Sequence, residues 1–123
     1  MNLTTVIVED DTTLQTIYRF ILKRHGFDVH FAQDGKVALN LLEDVTPQLL
    51  FLDMLLPYVQ GLDVLRYVRS EARFASTRVI VTSSIEHFER EMQHEEFLLK
   101  PIHAPALARI AEETHARFVA NKG

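Results

Sequence analysis

The stretch Gln48-Leu49-Leu50-Phe51-Leu52-Asp53 decides the fold. It is an almost wholly apolar run that ends on a carboxylate. So short and continuous a run reads as a strand covered on both faces, and so as the central strand of a parallel sheet. Pro47 opens the connection into it, and Pro57 and Gly61 punctuate the loop beyond.

The same character recurs outward in both directions. Leu3-Thr4-Thr5-Val6-Ile7-Val8 is a second buried strand. Thr12-Thr13-Leu14-Gln15 has the form of a capping box, with Asp11 a rival cap. Leu14, Ile17, Tyr18, Ile21 and Leu22 then follow at helical spacing until Gly26. Phe27-Asp28-Val29-His30-Phe31 alternates, which suits a strand nearer an edge. Asp34-Gly35 is compatible with a hairpin turn, but Val37, Ala38, Leu41, Leu42 and Val45 have helical period, so a helix is expected there. Beyond the central strand, Leu62, Leu65 and Val68 form the stripe of a third helix. Arg78 to Thr82 is a fourth strand, Glu86 to Gln93 a short charged fourth helix, and Glu96 to Leu99 a fifth strand. Pro105 to Arg117 closes with a helix that turns Leu107, Ile110, Ala111 and Thr114 to one side. Repeated β/α alternation implies a doubly wound parallel sheet with helices on both faces and right-handed crossovers.

Composition narrows the function. The 123 residues suit one domain, expected to span 1–123 with no output domain. There is no Cys, which excludes a disulfide scaffold, a thiolate metal site and a Cys nucleophile, and fits a reducing compartment. Net charge is −4, which argues against a nucleic-acid coat and against an anionic-membrane binder. The longest apolar stretch, Leu49 to Pro57, is interrupted by Asp53, so no membrane span is expected. The six His residues, at 25, 30, 87, 94, 103 and 115, lack the i, i+4 spacing of a metal pair and read as surface or helix-end residues.

Counting elements places the reactive residues. Glu9 and Asp10 follow strand 1, Asp53 strand 3, Ser83 strand 4 and Lys100 strand 5. In a parallel sheet these positions share one edge, the edge at which open α/β sheets bind ligands. Three carboxylates that close raise each other's pKa unless cations intervene. Lys100 can neutralise one, and a divalent ion held by oxygen ligands alone, hence Mg²⁺, suits the remainder. A carboxylate beside such an ion can attack phosphorus to give an aspartyl phosphate. Bland readings stand beside these: Glu9 and Asp10 as helix-start acids, Asp53 as a turn residue, Ser83 as a helix cap, Lys100 as a surface lysine, and Asp11 and Thr12 as caps.

Four segments in order carry a resemblance: Val6-Ile7-Val8-Glu9-Asp10-Asp11, Asp53-Met54-Leu55-Leu56-Pro57 with Gly61, Val79 to Ser84, and Phe97-Leu98-Leu99-Lys100-Pro101. Over essentially its whole length the chain resembles the receiver domain of bacterial two-component response regulators. That resemblance implies a flavodoxin-like five-stranded sheet of order 2-1-3-4-5 and a cytoplasmic phosphoprotein, monomeric or weakly dimeric. It implies Asp53 as phosphoacceptor, Asp10 as a direct Mg²⁺ ligand, Glu9 as a ligand through water, and Leu55 as a ligand through its backbone carbonyl. Ser83 would bind a phosphoryl oxygen, Lys100 would pair with the phosphorylated carboxylate, and Phe97 would be a switch aromatic beside Ser83. The Lys100–Pro101 peptide would be cis. The donor would be a histidine kinase or a phosphotransfer protein. The output would be a surface around the fourth helix, fifth strand and last helix, presented to an unidentified downstream protein. Such a domain modifies itself and is not an enzyme in the ordinary sense. Leu55 and Ile85, two residues after Asp53 and Ser83, are apolar and cannot orient water, so slow loss of the phosphoryl group is expected.

The link from Ser83 to Lys100 is short for a parallel crossover, and only Ile85, Phe88 and Met92 can anchor it. A fourth helix of one to two turns, or partly unwound, and more mobile than its neighbours, is therefore expected. Two other classes compete. A phosphorylation-independent interaction module usually lacks an acid or the Lys, and all are present here. An Asp-nucleophile phosphatase wants a second carboxylate two residues after the nucleophile, where Leu55 stands.

Overall fold

A computed structural model describes residues 2–56, 59–85, 92 and 94–120. In chain order the elements are β1 (Leu3–Val8), α1 (Thr12–Arg24), β2 (Phe27–Ala32), α2 (Gly35–Asp44), β3 (Leu49–Asp53), α3 (Gly61–Ser70), a 3-10 turn (Ala72–Phe74), β4 (Arg78–Ser83), β5 (Glu96–Leu99) and α4 (Ala104–Ala120). The five strands form one sheet of order β2-β1-β3-β4-β5. All four pairings are parallel. This is the doubly wound, flavodoxin-like arrangement expected from the sequence.

Alternation along each buried strand makes two cores. Val6, Val8, Leu50, Leu52, Val79 and Val81 face one way, against Ala38 and Leu42 of α2 and Val64, Leu65 and Val68 of α3. Ile7, Leu49, Phe51 and Ile80 face the other, against Tyr18 and Leu22 of α1 and Leu107, Ile110 and Ala111 of α4. Covering on both faces is why β1, β3 and β4 lack a polar alternation. β2, at the sheet's edge, exposes Asp28 and His30 and keeps one.

Several boundaries differ from the sequence reading. Asp53 and Ser83 are the last residues of β3 and β4 rather than the first beyond them. The cap of α1 is Asp11, whose Oδ1 accepts the N–H groups of Thr13 and Leu14. The rival cap thus prevails over the Thr12–Gln15 box. Asp34 caps α2 through the Val37 N–H, which settles the Asp34-Gly35 ambiguity for a helix. The last helix runs past Arg117 to Ala120. The 3-10 turn that buries Phe74 has too few residues for a period and was not expected. The expected short helix from Glu86 to Gln93 lies, apart from Met92, outside the described residues.

Two glycines permit close approach near the sheet's carboxyl edge. A Cβ at Gly61 would overlap the Asp53 carbonyl, and one at Gly35 would overlap the Val59 carbonyl. At the opposite edge Gly26, with φ of 83°, ends α1 in a backbone conformation that side chains disfavour.

Candidate functional site

The ladder brings the chemistry together. Val8 lies beside Leu52, Asp53 beside Thr82, and Ser83 beside Leu99. Single bonds extend the pairing past the strand ends: the Met54 N–H donates to the Thr82 carbonyl at 3.0 Å and the Lys100 N–H to the Ser83 carbonyl at 2.9 Å. Glu9, Asp10, Asp53, Ser83 and Lys100 therefore share one edge, as the element count implied. The Lys100–Pro101 peptide is cis, as expected.

Lys100 Nζ donates to Asp53 Oδ2 at 2.9 Å and lies 2.7 Å from Glu9 Oε1. The second contact is an ion pair whose angle departs from hydrogen-bond geometry, so Glu9 Oε1 is a buried oxygen with no well-directed donor. Asp53 Oδ1 accepts the Leu55 N–H at 3.1 Å. Glu9 Oε2 accepts the Asp11 N–H at 3.1 Å. Glu9 is 1% exposed and Asp53 3%, whereas Asp10 is open to solvent. Oxygens of Glu9, Asp10 and Asp53 lie within 4.8 Å of one another.

Burial pushes the Glu9 carboxyl up to about 7, and the Asp53 charge adds to the rise, although Lys100 and the Asp11 N–H pull the other way. For Lys100 burial works to lower the ammonium, but bonding to Glu9 and Asp53 and their charges outweigh it, and the net direction is upward. Among the described residues one lysine thus serves three acids and leaves them short of positive charge. An oxygen-only donor set with one buried, undirected oxygen and one exposed carboxylate fits a hard divalent cation such as Mg²⁺.

Ser83 is fully buried, and its Oγ accepts the Ile85 N–H at 3.1 Å. Phe97 is half-buried and packs on the core layer that holds α2 and α3. Below the acids, Tyr18 packs its ring on Phe51 at 4.9 Å. Burial, then the charges of Glu9 and Asp53, push its hydroxyl well above the usual phenol range against a hydrogen bond with Thr82.

The family profile described as the response regulator receiver domain matches residues 5–112. The chain belongs to the receiver domains of two-component response regulators. Proteins of this family carry signals rather than turn over substrates, bind Mg²⁺ in an acidic pocket, and generally interact with histidine kinases or other proteins. A curated relative is the alkaline phosphatase synthesis transcriptional regulatory protein PhoP of Bacillus subtilis (strain 168), 30% identical over 105 residues. The match covers 82% of this chain but only 43% of that protein. Among solved structures, the receiver domain of AraT, a response regulator from Geobacillus stearothermophilus, superposes with a TM-score of 0.84 at 20% identity and covers 100% of both chains. The receiver domain of a sensor histidine kinase from Pseudomonas aeruginosa PAO1 superposes with a TM-score of 0.80 at 21% identity, over 92% of this chain and 97% of that one. That protein holds a magnesium ion in its active site cleft. No helix among the described residues is long and apolar enough to cross a membrane.

Two contributors escaped the sequence reading. The Asp11 N–H pins Glu9, and the Gln15 side-chain amide reaches back to the Glu9 carbonyl at 2.6 Å. The signal for the second was a Gln four residues past the helix cap, read there as part of a capping box.

Proposed function

We propose that the chain is a phosphoacceptor in a phosphorelay and that Asp53 takes a phosphoryl group from the phosphohistidine of a histidine kinase or phosphotransfer protein. An Asp53 carboxylate oxygen bonds to phosphorus as the phosphorus–nitrogen bond to the donor imidazole breaks, and the imidazole leaves with its electron pair. Asp10, Asp53 and the Leu55 backbone carbonyl would hold Mg²⁺, with Glu9 acting through water. The bound ion would offset negative charge on the phosphoryl oxygens. The observation that carries this reading is Lys100 Nζ lying between Asp53 Oδ2 and Glu9 Oε1, where it can follow an oxygen of Asp53 once that oxygen is esterified. Ser83 Oγ, at the end of the neighbouring strand, is the second group assigned to a phosphoryl oxygen. Phe97, on the strand beside it, is assigned to relay the change to the face formed by β5 and α4. The protein reached there is a downstream partner of unassigned identity.

Loss of the group is slow in this reading. Leu55 and Ile85, two residues beyond Asp53 and Ser83, are both exposed and offer no side-chain hydrogen bond to an attacking water. The test is intact-mass measurement after acetyl phosphate and Mg²⁺. One added phosphoryl group, absent in Asp53→Asn, is expected. No adduct in the wild-type chain would favour a phosphorylation-independent interaction module, and multiple turnover on phosphate esters would favour a phosphatase. In the same assay Leu55→Asn should shorten the adduct's lifetime about three- to tenfold, because an amide can orient the water. Equal lifetimes would remove that argument.

A further inference from the structure

The acidic turn Glu9-Asp10-Asp11 joins β1 to α1 and carries three successive carboxylates. Like charges in sequence favour an extended, fluctuating turn. Every polar group of Glu9 is nevertheless engaged. Its N–H donates to the Ala32 carbonyl at 3.0 Å, Oε2 accepts the Asp11 N–H, and Oε1 faces Lys100. Its carbonyl accepts the Gln15 Nε2 amide at 2.6 Å. Gln15 sits in the first turns of α1, and its own N–H donates to the Asp11 carbonyl at 3.0 Å. The side chain thus clasps the turn from the helix side.

The bond from Gln15 has a particular mechanical effect. A carbonyl oxygen defines the plane of its peptide unit. Holding the Glu9 oxygen therefore restrains ψ of Glu9 and φ of Asp10, the torsions that direct the Asp10 side chain. Asp10 is exposed, so its own packing does not aim it. Glu9, by contrast, is aimed by burial and by its own partners.

We infer that Gln15 is a positioning residue for the divalent cation: it preorganises Asp10 by pinning the Glu9–Asp10 peptide. This rests on the metal-binding reading of the acidic pocket. Without the amide, binding must itself order the turn, and fixing the backbone of even one residue is costly enough to weaken a ligand several-fold. The function absorbs Glu9, Asp10 and Asp53 and leaves Gln15 unexplained; this assigns it.

The test is a Mg²⁺ titration of the full chain, followed by amide chemical shifts, with no phosphoryl donor present. Gln15→Met keeps the length of the side chain and removes the donor. Its Mg²⁺ dissociation constant should rise about three- to tenfold. Amide exchange at Asp10 and Asp11 should speed up in the metal-free state. Thr16→Ala removes a comparable bond, from the Thr16 hydroxyl to the Thr12 carbonyl at 3.1 Å, elsewhere on α1. It should leave the Mg²⁺ constant unchanged, which separates aiming of Asp10 from general loosening of the helix. If Gln15→Met does not fold, Gln15→Asn, whose amide is one methylene short of the carbonyl, makes the same comparison. A wild-type constant retained in the Gln15 variant, while Asp10→Asn loses binding, overturns the role of Gln15 and leaves the metal site standing. No binding by the wild-type chain overturns both.

Discussion

Among the described residues, two cations each face two carboxylates, at opposite ends of the sheet, and they are built inside out from one another. At the carboxyl edge the acids are buried, with side-chain exposures of 1% for Glu9 and 5% for Asp53, and Lys100 reaches them from a more open position. At the amino edge the cation is buried. Arg78 is 7% exposed, and its partners Glu96 and Glu113 are about half exposed, at 49% and 52%. Arg78 forks onto Glu96 at 2.9 and 2.7 Å, and its remaining donors reach Glu113, the Ile110 carbonyl and the Thr114 hydroxyl. A planar guanidinium satisfied in five directions is a rivet between β4, β5 and α4. An ammonium is a rotatable point charge, free to trade one oxygen for another. The buried member of each cluster thus separates a joint from a reactive site.

The contrast breaks most sharply at Arg78. Arg78→Met should cost about 2–3 kcal/mol of stability, because the buried Thr114 hydroxyl and the packing of α4 lose their anchor while the exposed acids rehydrate. Urea denaturation measures it, and an unchanged midpoint would mean that the rivet holds nothing. Its Mg²⁺ affinity should stay as in the wild type. Lys100→Met should cost less in the metal-free protein, about 1–2 kcal/mol, since Glu9 and Asp53 then face each other without a cation. Excess Mg²⁺ should restore most of that loss and none of the loss in Arg78→Met; equal responses would erase the distinction. The smallest effect is in acid. Hydrogen bonding to Arg78 holds the Glu96 carboxyl below its usual 4.5, against partial burial. A lowered folded value contributes stability that is complete above about 4.5 and is lost as pH falls through the folded value. Because the Glu96 side chain is about half exposed, the contribution should be under about 1 kcal/mol. Glu96→Gln should lower stability by that amount at neutral pH and converge on the wild type as pH falls below about 4.5, which flattens the acid limb of the profile. Parallel acid profiles for the two proteins would count against the pairing.

The parts legible in the sequence are those fixed by periodicity. Leu49 to Leu52 and Val6 to Val8 announce buried strands, and once strands alternate with helices the topology brings Glu9, Asp10, Asp53, Ser83 and Lys100 to one edge. What escaped depends on side chains crossing between elements. Arg78 is the first residue of an apolar strand, and nothing local says that its guanidinium is sealed under α4 by acids far along the chain. Gln15 has a local pattern that fitted a capping box, yet its amide goes to Glu9 because Asp11 takes the cap first. Strand ends shifted by a residue for a related reason. Asp53 and Ser83 stay in the ladder because the next strand offers them partners, which hydropathy does not encode.

The strand order also divides the pocket by sequence distance. β2, β1 and β3 are neighbours in the sheet and come from the first 53 residues, and β4 and β5 extend it along a single side. The acids Glu9, Asp10 and Asp53 thus sit at the ends of inner strands, while the lysine that faces two of them follows the strand at the far edge. A molecule with that edge strand displaced would carry an uncompensated acidic cleft, and redocking the strand would complete the pocket and relieve its charge in one event.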